Sequence, residues 1–200
     1  MNSIFDLIAN NHNYTEEDLK IYKNYIITKS FAKREILQKS RDQTPRIYFV
    51  KKGLLRSYII DSDGKEHIFM FAPEGWIIHD SNEIQNSVIT ELFIDALEKS
   101  EVEIINTNIL YQSIVSPQLK TRVIENLLRR LSVLQNRVLM MMSASAIERY
   151  EHFKATYPQI LFRVPQKMIA SYLGITPEAL SKIKTQKLRT DKSGKKGTGK

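Results

Sequence analysis

The sequence of 200 residues contains no cysteine. Without thiols the chain forms no disulfide, thiolate metal site or iron–sulfur cluster, and it has no cysteine nucleophile. It also lacks an apolar run of the roughly 18 residues that a membrane-spanning helix needs. The opening residues, MNSIFDLIANNHNYTEEDL, have neither the basic start nor the long apolar stretch of a secretory signal. We therefore expect a cytoplasmic protein without a membrane partner.

Motifs that would carry catalysis are also scarce. The four histidines, His12, His67, His79 and His152, include no close-spaced pair of the kind that binds a metal. No phosphate-binding glycine loop occurs outside the terminal KKGTGK, which has neither a strand before it nor a helix after it, and no serine lies in a GxSxG motif. A metal-dependent β-barrel enzyme would need clustered ligands, and His67 beside Glu66 is the nearest approach. We predict no enzymatic activity and no metal site.

The positive charge is concentrated at one end of the chain. Residues 1–146 carry 18 basic and 18 acidic side chains, whereas residues 147–200 carry 12 basic and 4 acidic ones. The whole net charge of +8 therefore lies in the last quarter, and a flexible basic tail over residues 190–200 accounts for only part of it. A basic end on a neutral body indicates a polyanionic partner, with nucleic acid ahead of an anionic membrane.

Short β-type runs dominate the first part of the chain. An opening helix capped by Thr15 precedes them. The runs are rich in β-branched and aromatic residues and are separated by turn signals such as Asp61–Gly64 and Pro73–Gly75. Their spacing predicts a β-sandwich or barrel instead of βαβ units. The predicted strands are Ser30–Gln38, Arg46–Val50, Leu54–Ile60, His67–Phe71, Glu91–Leu97 and Val102–Ile105.

A single long helix is predicted from about Pro117 to Met142. Apolar residues recur along it at alternating spacings of three and four, which is the pattern of a coiled-coil seam. The seam predicts a parallel homodimer; the alternative is that this face packs on the β body of the same chain. Leu128 and Val133 lie on another side of the helix and are available for that packing. The seam residues are Ile124, Leu127, Leu131, Leu134, Val138 and Met141.

The segment Gln166–Thr185 has the spacing of a helix-turn-helix. Its inward positions are all apolar or small: Ile169, Ala170, Leu173, Gly174, Ile175, Leu180 and Ile183. Gly174 supplies the left-handed turn between the helices, and Thr176 and Pro177 suit the start of the second helix. Any αα-hairpin with a glycine turn shares some of these features, but seven matches within a basic segment favour DNA binding.

The second helix of this motif would enter the major groove with its N-terminus first. The outward residues are then Thr176, Glu178, Ser181, Lys182 and Thr185. Glu178 would accept a hydrogen bond from a cytosine amine, and Lys182 would donate to guanine. Phosphate contacts are predicted for Lys167, Lys184, Lys187 and Arg189.

A β-rich sensor, a long helix and a helix-turn-helix, in that order, resemble the Crp/Fnr family of bacterial transcription regulators. The supporting strings are FAKREILQ, RIYFVKKGLLRSYIIDSDGKE, FAPEGWI, SASAIERYEHFKATYP and RVPQKMIASYLGITPEALSKIK. The sequence looks closest to the branch found in Bacteroidetes-type bacteria. The resemblance implies an α+β fold with a cyclic-nucleotide-binding-like jelly roll at 1–115, a dimerisation helix at 116–142 and a helix-turn-helix domain at 143–189. It further implies a homodimer on a two-fold symmetric operator and a contact with RNA polymerase.

Two features depart from the family pattern. Cyclic-AMP-binding members hold the phosphate with a Gly-Glu-Leu-type turn and an Arg-Ser or Arg-Thr pair, whereas the aligned positions here are Ile78–Ser81 and Thr90-Glu91. Because Glu91 would repel a phosphate, we expect no useful affinity for cyclic AMP and no cofactor. The sensor then has either no effector or an unidentified one, for which a cationic or neutral molecule fits the predicted lining better than a phosphate. The residues after the recognition helix are polar and glycine-rich, so we expect no full wing. The effector pocket is predicted at Gly75, Trp76, Ile78, His79, Asp80, Thr90, Glu91 and Phe93.

The sequence leaves two further classes open. One is a dimeric small-molecule-binding module whose DNA-binding end is degenerate, because the wing is missing. The other is a β-barrel enzyme. Within the family that the sequence resembles, a haem-sensing member would need an axial histidine such as His67 or His79. Selective, salt-sensitive DNA binding would distinguish the regulator from both.

Overall fold

A computed structural model of the chain describes residue 3 and residues 24–40, 46–79, 92–106 and 117–194. The side chains of residues 117–120, 122, 123, 126, 127, 129, 130 and 188–194 are not described. The predicted opening helix at Thr15 lies outside these ranges, as do Asp80, Thr90 and Glu91 of the predicted effector pocket.

Eight strands of the described residues form two four-stranded antiparallel sheets. One sheet has the order β1-β8-β3-β6 and the other the order β2-β7-β4-β5. This arrangement confirms the predicted jelly-roll architecture. The strands are β1 (Ile27–Phe31), β2 (Ile36–Gln38), β3 (Arg46–Lys52), β4 (Leu55–Ile60), β5 (Glu66–Ala72), β6 (Ile77–His79), β7 (Phe93–Ala96) and β8 (Ser100–Asn106).

The core of the sandwich lies between the two sheets, and every strand contributes to it. Alternation along each strand sends every second side chain to the inner face. In β3 these are Tyr48 and Val50, which meet Leu55 of β4 and Ile94 of β7 from the opposite sheet. The remaining buried members of this cluster are Phe31, Leu37, Ala72, Ile78, Ala96 and Val102.

The single strand predicted over Ser30–Gln38 is wrong, because a tight turn divides it into β1 and β2. Arg34 has a φ of 69°, in the left-handed region that a strand does not contain. The backbone amide of Ala32 donates to the Glu35 carboxylate at 2.8 Å, and the amide of Arg34 donates to the carbonyl of Ala96 at 2.7 Å. The turn lets the chain pass from the first sheet to the second, which local alternation of residues does not reveal.

Four α-helices and one short 3₁₀ helix follow the strands in the described part of the chain. They are α1 (Pro117–Ser143), α2 (Ala146–Thr156), the 3₁₀ helix (Pro158–Ile160), α3 (Gln166–Leu173) and α4 (Pro177–Gly194). Helix α2 begins with a capping box in which Ser145 and Glu148 bond each other's backbone amides. Helix α4 continues beyond residue 190, where the sequence predicts the basic tail to begin, because Gly194 is the first glycine or proline after Pro177.

The chain divides into two compact units, Met1–Ser132 and Val133–Lys200. The boundary falls within α1, whereas the sequence treats that helix as a separate segment. The reason is visible inside the second unit, where Arg137 and Met141 of α1 contact α3 and the turn after it.

Candidate nucleic-acid interface

Helices α3 and α4 form the predicted helix-turn-helix around a small apolar core. Five of the seven predicted inward side chains are buried: Ile169, Ala170, Leu173, Leu180 and Ile183. Ala170 is fully buried, which suits a position where two helices approach each other closely. The predicted interhelix core is confirmed, and its burial holds the outer face of α4 in one orientation.

The turn between the helices depends on Gly174. Its φ of 65° and ψ of 36° are left-handed, and its amide donates to the Ser171 carbonyl at 3.1 Å. The amide of Ile175 donates to the Ala170 carbonyl at 3.0 Å, which completes the end of α3. A Cβ at position 174 would also come within 2.7 Å of the Met141 Cε atom. Glycine is therefore favoured by the backbone conformation, whereas the end of the flexible Met141 side chain can move aside at little cost.

An aromatic cluster joins α2 and the residue after it to α3. The rings of Phe153, Tyr157 and Tyr172 lie between 5.3 and 5.7 Å apart, with Tyr157 and Tyr172 edge to face. Such pairs stabilise a fold beyond the area they bury. This cluster was not predicted from the sequence, although the spacing of Phe153 and Tyr157 by one helical turn is a signal that indicates it.

The first turns of α4 present a polar outer face. Thr176, Glu178, Ser181, Lys182 and Thr185 are all exposed. The Thr176 hydroxyl accepts from the Ala179 amide at 3.2 Å, so it caps the helix as predicted. The Thr185 hydroxyl donates to the Ser181 carbonyl at 3.0 Å. Thr176 and Thr185 thus already bond their own helix, while Lys182 has an exposed side chain on the same face.

The carboxylate of Glu178 stays ionised well below neutral pH. Hydrogen bonds from its own backbone amide and from the Thr176 hydroxyl hold the pKa of Glu178 below its ordinary value. An ionised carboxylate at this position accepts hydrogen bonds and donates none, which is the chemistry that a cytosine amine requires.

The lysines predicted to contact phosphate differ in their surroundings. Lys167 is exposed at the start of α3. The ammonium of Lys184 donates to the Gln166 side-chain carbonyl at 2.9 Å, and that of Lys187 lies 3.3 Å from the Glu151 carboxylate. The side chain of Arg189 lies outside the described part of α4.

The C-terminal end of α1 packs against the helix-turn-helix. The Arg137 guanidinium lies 4.1 Å from the ring centroid of Tyr172 and donates to the Tyr172 carbonyl at 3.4 Å. The Met141 side chain lies beside Gly174, and its sulfur lies 3.5 Å from the Arg149 guanidinium. These contacts join the last turns of α1 to α3 as one packed body.

The predicted seam of α1 is exposed in the single chain. Ile124, Leu131, Leu134, Val138 and Met141 each leave between 42% and 57% of their surface accessible, and the side chain of Leu127 is not described. Leu128 and Val133 are also exposed, at 58% and 61%. The described part of the helix therefore carries an apolar surface that is wider than the seam.

The described members of the predicted effector pocket lie in different sheets. Gly75 forms the turn before β6 with a φ of 80°, and Trp76 packs partly buried against the sandwich core. Ile78 is 1% exposed within that core, and His79 lies beside it in β6. Phe93 of β7 belongs to the other sheet, where its ring stacks on Tyr58 at 5.4 Å. With Asp80, Thr90 and Glu91 outside the described residues, the pocket stays a prediction.

A buried ion-pair cluster in the sandwich was not anticipated from the sequence. The Arg56 guanidinium donates to both Asp95 oxygens, at 2.8 and 2.9 Å, and also to Glu66. Burial lowers the pKa of Arg56, but hydrogen bonds to Asp95 and Glu66 outweigh that effect and leave the pKa above its ordinary value. The cluster fixes β4 against β7 and β5.

Other predicted site chemistry is limited in the described ranges. No group of three or more His, Asp or Glu side chains is placed there to hold a metal ion. His67, a candidate haem ligand, has its Nε2 atom 2.6 Å from an Asp61 carboxylate oxygen. No helix among these residues is long and apolar enough to cross a membrane.

Comparison with known proteins finds similarity to solved structures but to no sequence family. No protein-family profile and no curated protein sequence matches the chain. Among solved structures, FixK2 from Bradyrhizobium japonicum is similar with a TM-score of 0.71 and 21% identity, over 83% of this chain and 85% of that one. A CooA mutant from Carboxydothermus hydrogenoformans has a TM-score of 0.66 and 18% identity, over 92% and 83% of the two chains.

A third similar structure is described as a transcriptional regulator of the Crp/Fnr family from Eubacterium rectale. Its TM-score is 0.66 at 21% identity, over 90% of this chain and 86% of that one. At these identities the likeness establishes the fold, and the coverage shows that the fold is shared over most of each chain.

Proposed function

We propose that this chain is a DNA-binding transcription regulator of the Crp/Fnr type, which acts in the cytoplasm as a homodimer on a two-fold symmetric operator. The observation that carries the proposal is the helix-turn-helix of α3 and α4, with a packed core and a polar outer face. That motif lies in the part of the chain that holds the entire net positive charge. The shared fold with FixK2 and the Eubacterium rectale regulator supports the same assignment.

The proposed mode of DNA binding follows from the exposed face of α4. The N-terminal turns of the helix enter the major groove, where Glu178 and Lys182 meet base edges. Lys167, at the start of α3, contacts phosphate and sets the register of the protein on the duplex. Sequence selectivity then comes from α4 and most of the salt-sensitive affinity from the lysines.

The proposed regulation places a small-molecule effector on the β-sandwich and a contact with RNA polymerase elsewhere on the dimer. Cyclic AMP is not part of the proposal, because Thr90-Glu91 stands where the resemblance requires an arginine beside a serine or threonine. An effector changes DNA binding only through a difference in affinity for two states of the protein.

We expect selection from a random DNA pool, at about 150 mM salt and without added ligand, to recover a palindrome. Its half-sites should lie about 34 Å apart, one helical turn, because each recognition helix of a dimer occupies one major groove. A variant that lacks residues 195–200 should recover the same motif with lower affinity. Binding that ignores sequence and disappears in this shortened variant would contradict the proposal and favour a dimeric sensor with a degenerate DNA-binding end.

The homodimer is proposed to form through the exposed apolar seam of α1. Leu131→Glu introduces a charge at a position that faces the partner helix, so the dimer dissociation constant should rise roughly 100-fold or more. Val133→Glu is the matched control, because Val133 is also exposed, at 61% against 52% for Leu131, but lies on the opposite side of the helix. Sedimentation equilibrium should find the first variant monomeric and the second dimeric. Equal dissociation constants would refute this seam.

A further inference from the structure

The carboxylate of Glu151 on α2 faces two lysines of the DNA-binding unit. One of its oxygens lies 3.3 Å from the ammonium of Lys187 on α4, and the other lies 3.3 Å from the ammonium of Lys154 on α2. All three side chains are about 40% exposed. One acid thus holds two cations, and one of these is on the helix proposed to bind DNA.

Glu151 differs from the other two described carboxylates of this unit. Glu148 bonds the Ser145 amide within the capping box, and Glu178 bonds its own amide and Thr176. Burial raises the pKa of Glu151, but hydrogen bonds from Lys187 and Lys154 outweigh it, so the pKa is below its ordinary value. The Glu151 carboxylate is therefore fully ionised at neutral pH and competes with phosphate for the same ammonium groups.

We infer that Glu151 limits the DNA affinity of this unit by holding Lys154 and Lys187 in intramolecular ion pairs that compete with backbone phosphates. The inference rests on the proposed DNA-binding function and deepens it. Within the described part of the unit, no ion pair engages Lys182 or Lys167, whereas Lys187 is paired with Glu151 and neutralises a phosphate only when it leaves that pair. Glu151 therefore reduces sequence-independent binding more than it reduces contacts to base edges.

The competition has a measurable signature in the salt dependence of binding. Each phosphate that a cation neutralises contributes about −0.9 to the slope of log K against log salt. Exposed ion pairs are weak, so the exchange is reversible and does not block binding. Releasing one lysine should steepen the slope by about 0.9, and releasing both by about 1.8.

Glu151→Gln tests the inference, with Glu148→Gln as the control. Both substitutions remove one negative charge from α2, and glutamine preserves the capping box at position 148. Binding of each full-length variant to a non-specific duplex is measured by fluorescence anisotropy between about 50 and 200 mM salt. The affinity of Glu151→Gln divided by that of the wild type should fall by about three- to twelvefold from the lowest to the highest salt. The same ratio for Glu148→Gln should stay constant.

A second control distinguishes release of the lysines from a general change of charge. In a protein that already carries Lys154→Gln and Lys187→Gln, adding Glu151→Gln should leave the slope of log K against log salt unchanged. Equal slopes for Glu151→Gln and Glu148→Gln, or a shallower slope for Glu151→Gln, would overturn the inference while leaving the proposed function intact. Failure of the wild type and all variants to bind DNA at low salt would instead refute the proposed function.

Discussion

Replacing Leu180 by alanine is expected to destabilise the second unit by about 3 kcal/mol and to abolish the proposed DNA binding. Leu180 is fully buried between α3 and α4, where it contributes to the core that orients α4. Removing its side chain leaves a cavity, and such losses are large beside the 5–15 kcal/mol that typically stabilises a whole domain. Amide hydrogen exchange over residues 146–187, measured by mass spectrometry, should show faster exchange throughout that range.

Two controls isolate the role of burial in this prediction. Leu180→Met keeps the volume and should cost less than about 1.5 kcal/mol, with DNA binding retained. Lys182→Ala, on the exposed face of the same helix, should change stability by less than about 0.5 kcal/mol but still weaken DNA binding. A Leu180→Ala variant with wild-type exchange and wild-type affinity would show that α4 is held by other contacts.

Replacing Arg56 by leucine is expected to destabilise the β-sandwich by about 3–5 kcal/mol. Arg56 and Asp95 are 5% and 6% exposed, and two hydrogen bonds join them. Loss of the guanidinium leaves the Asp95 carboxylate buried without its cation, and that desolvated charge is the main cost. Urea denaturation of the wild type and the variant at pH 7 measures the difference.

A double variant separates the cost of the orphaned charge from the cost of lost packing. The double variant Arg56→Leu/Asp95→Leu removes both charges and should recover most of the loss. A double variant as unstable as the single one would show that packing, and not charge, sets the cost.

The sequence predicted the features that depend on residues close together in the chain. Helix α1 was expected from Pro117 to Met142 and spans Pro117–Ser143, because its start is marked by proline and its length by apolar spacing. The helix-turn-helix core was found for the same reason: Gly174 and its apolar neighbours lie within one 20-residue window. Turn signals likewise separated most strands of the sandwich.

Features that depend on distant residues were not predictable. The Arg56–Asp95 pair joins residues 39 apart in sequence, and nothing local to either residue indicates the other. The ion pair of Lys187 with Glu151 likewise spans two helices, so the sequence predicted only a phosphate contact for this lysine. The division of Ser30–Gln38 into two strands was missed because the left-handed conformation of Arg34 is imposed by pairing with Ala96.

The chain has one tryptophan, Trp76, which packs against the core of the β-sandwich. The aromatic cluster under the helix-turn-helix contains tyrosines and a phenylalanine instead. Intrinsic tryptophan fluorescence therefore reports on the first unit alone. The protein thus carries its own optical label for the β-sandwich, so the melting of that unit can be followed by itself without attaching a dye.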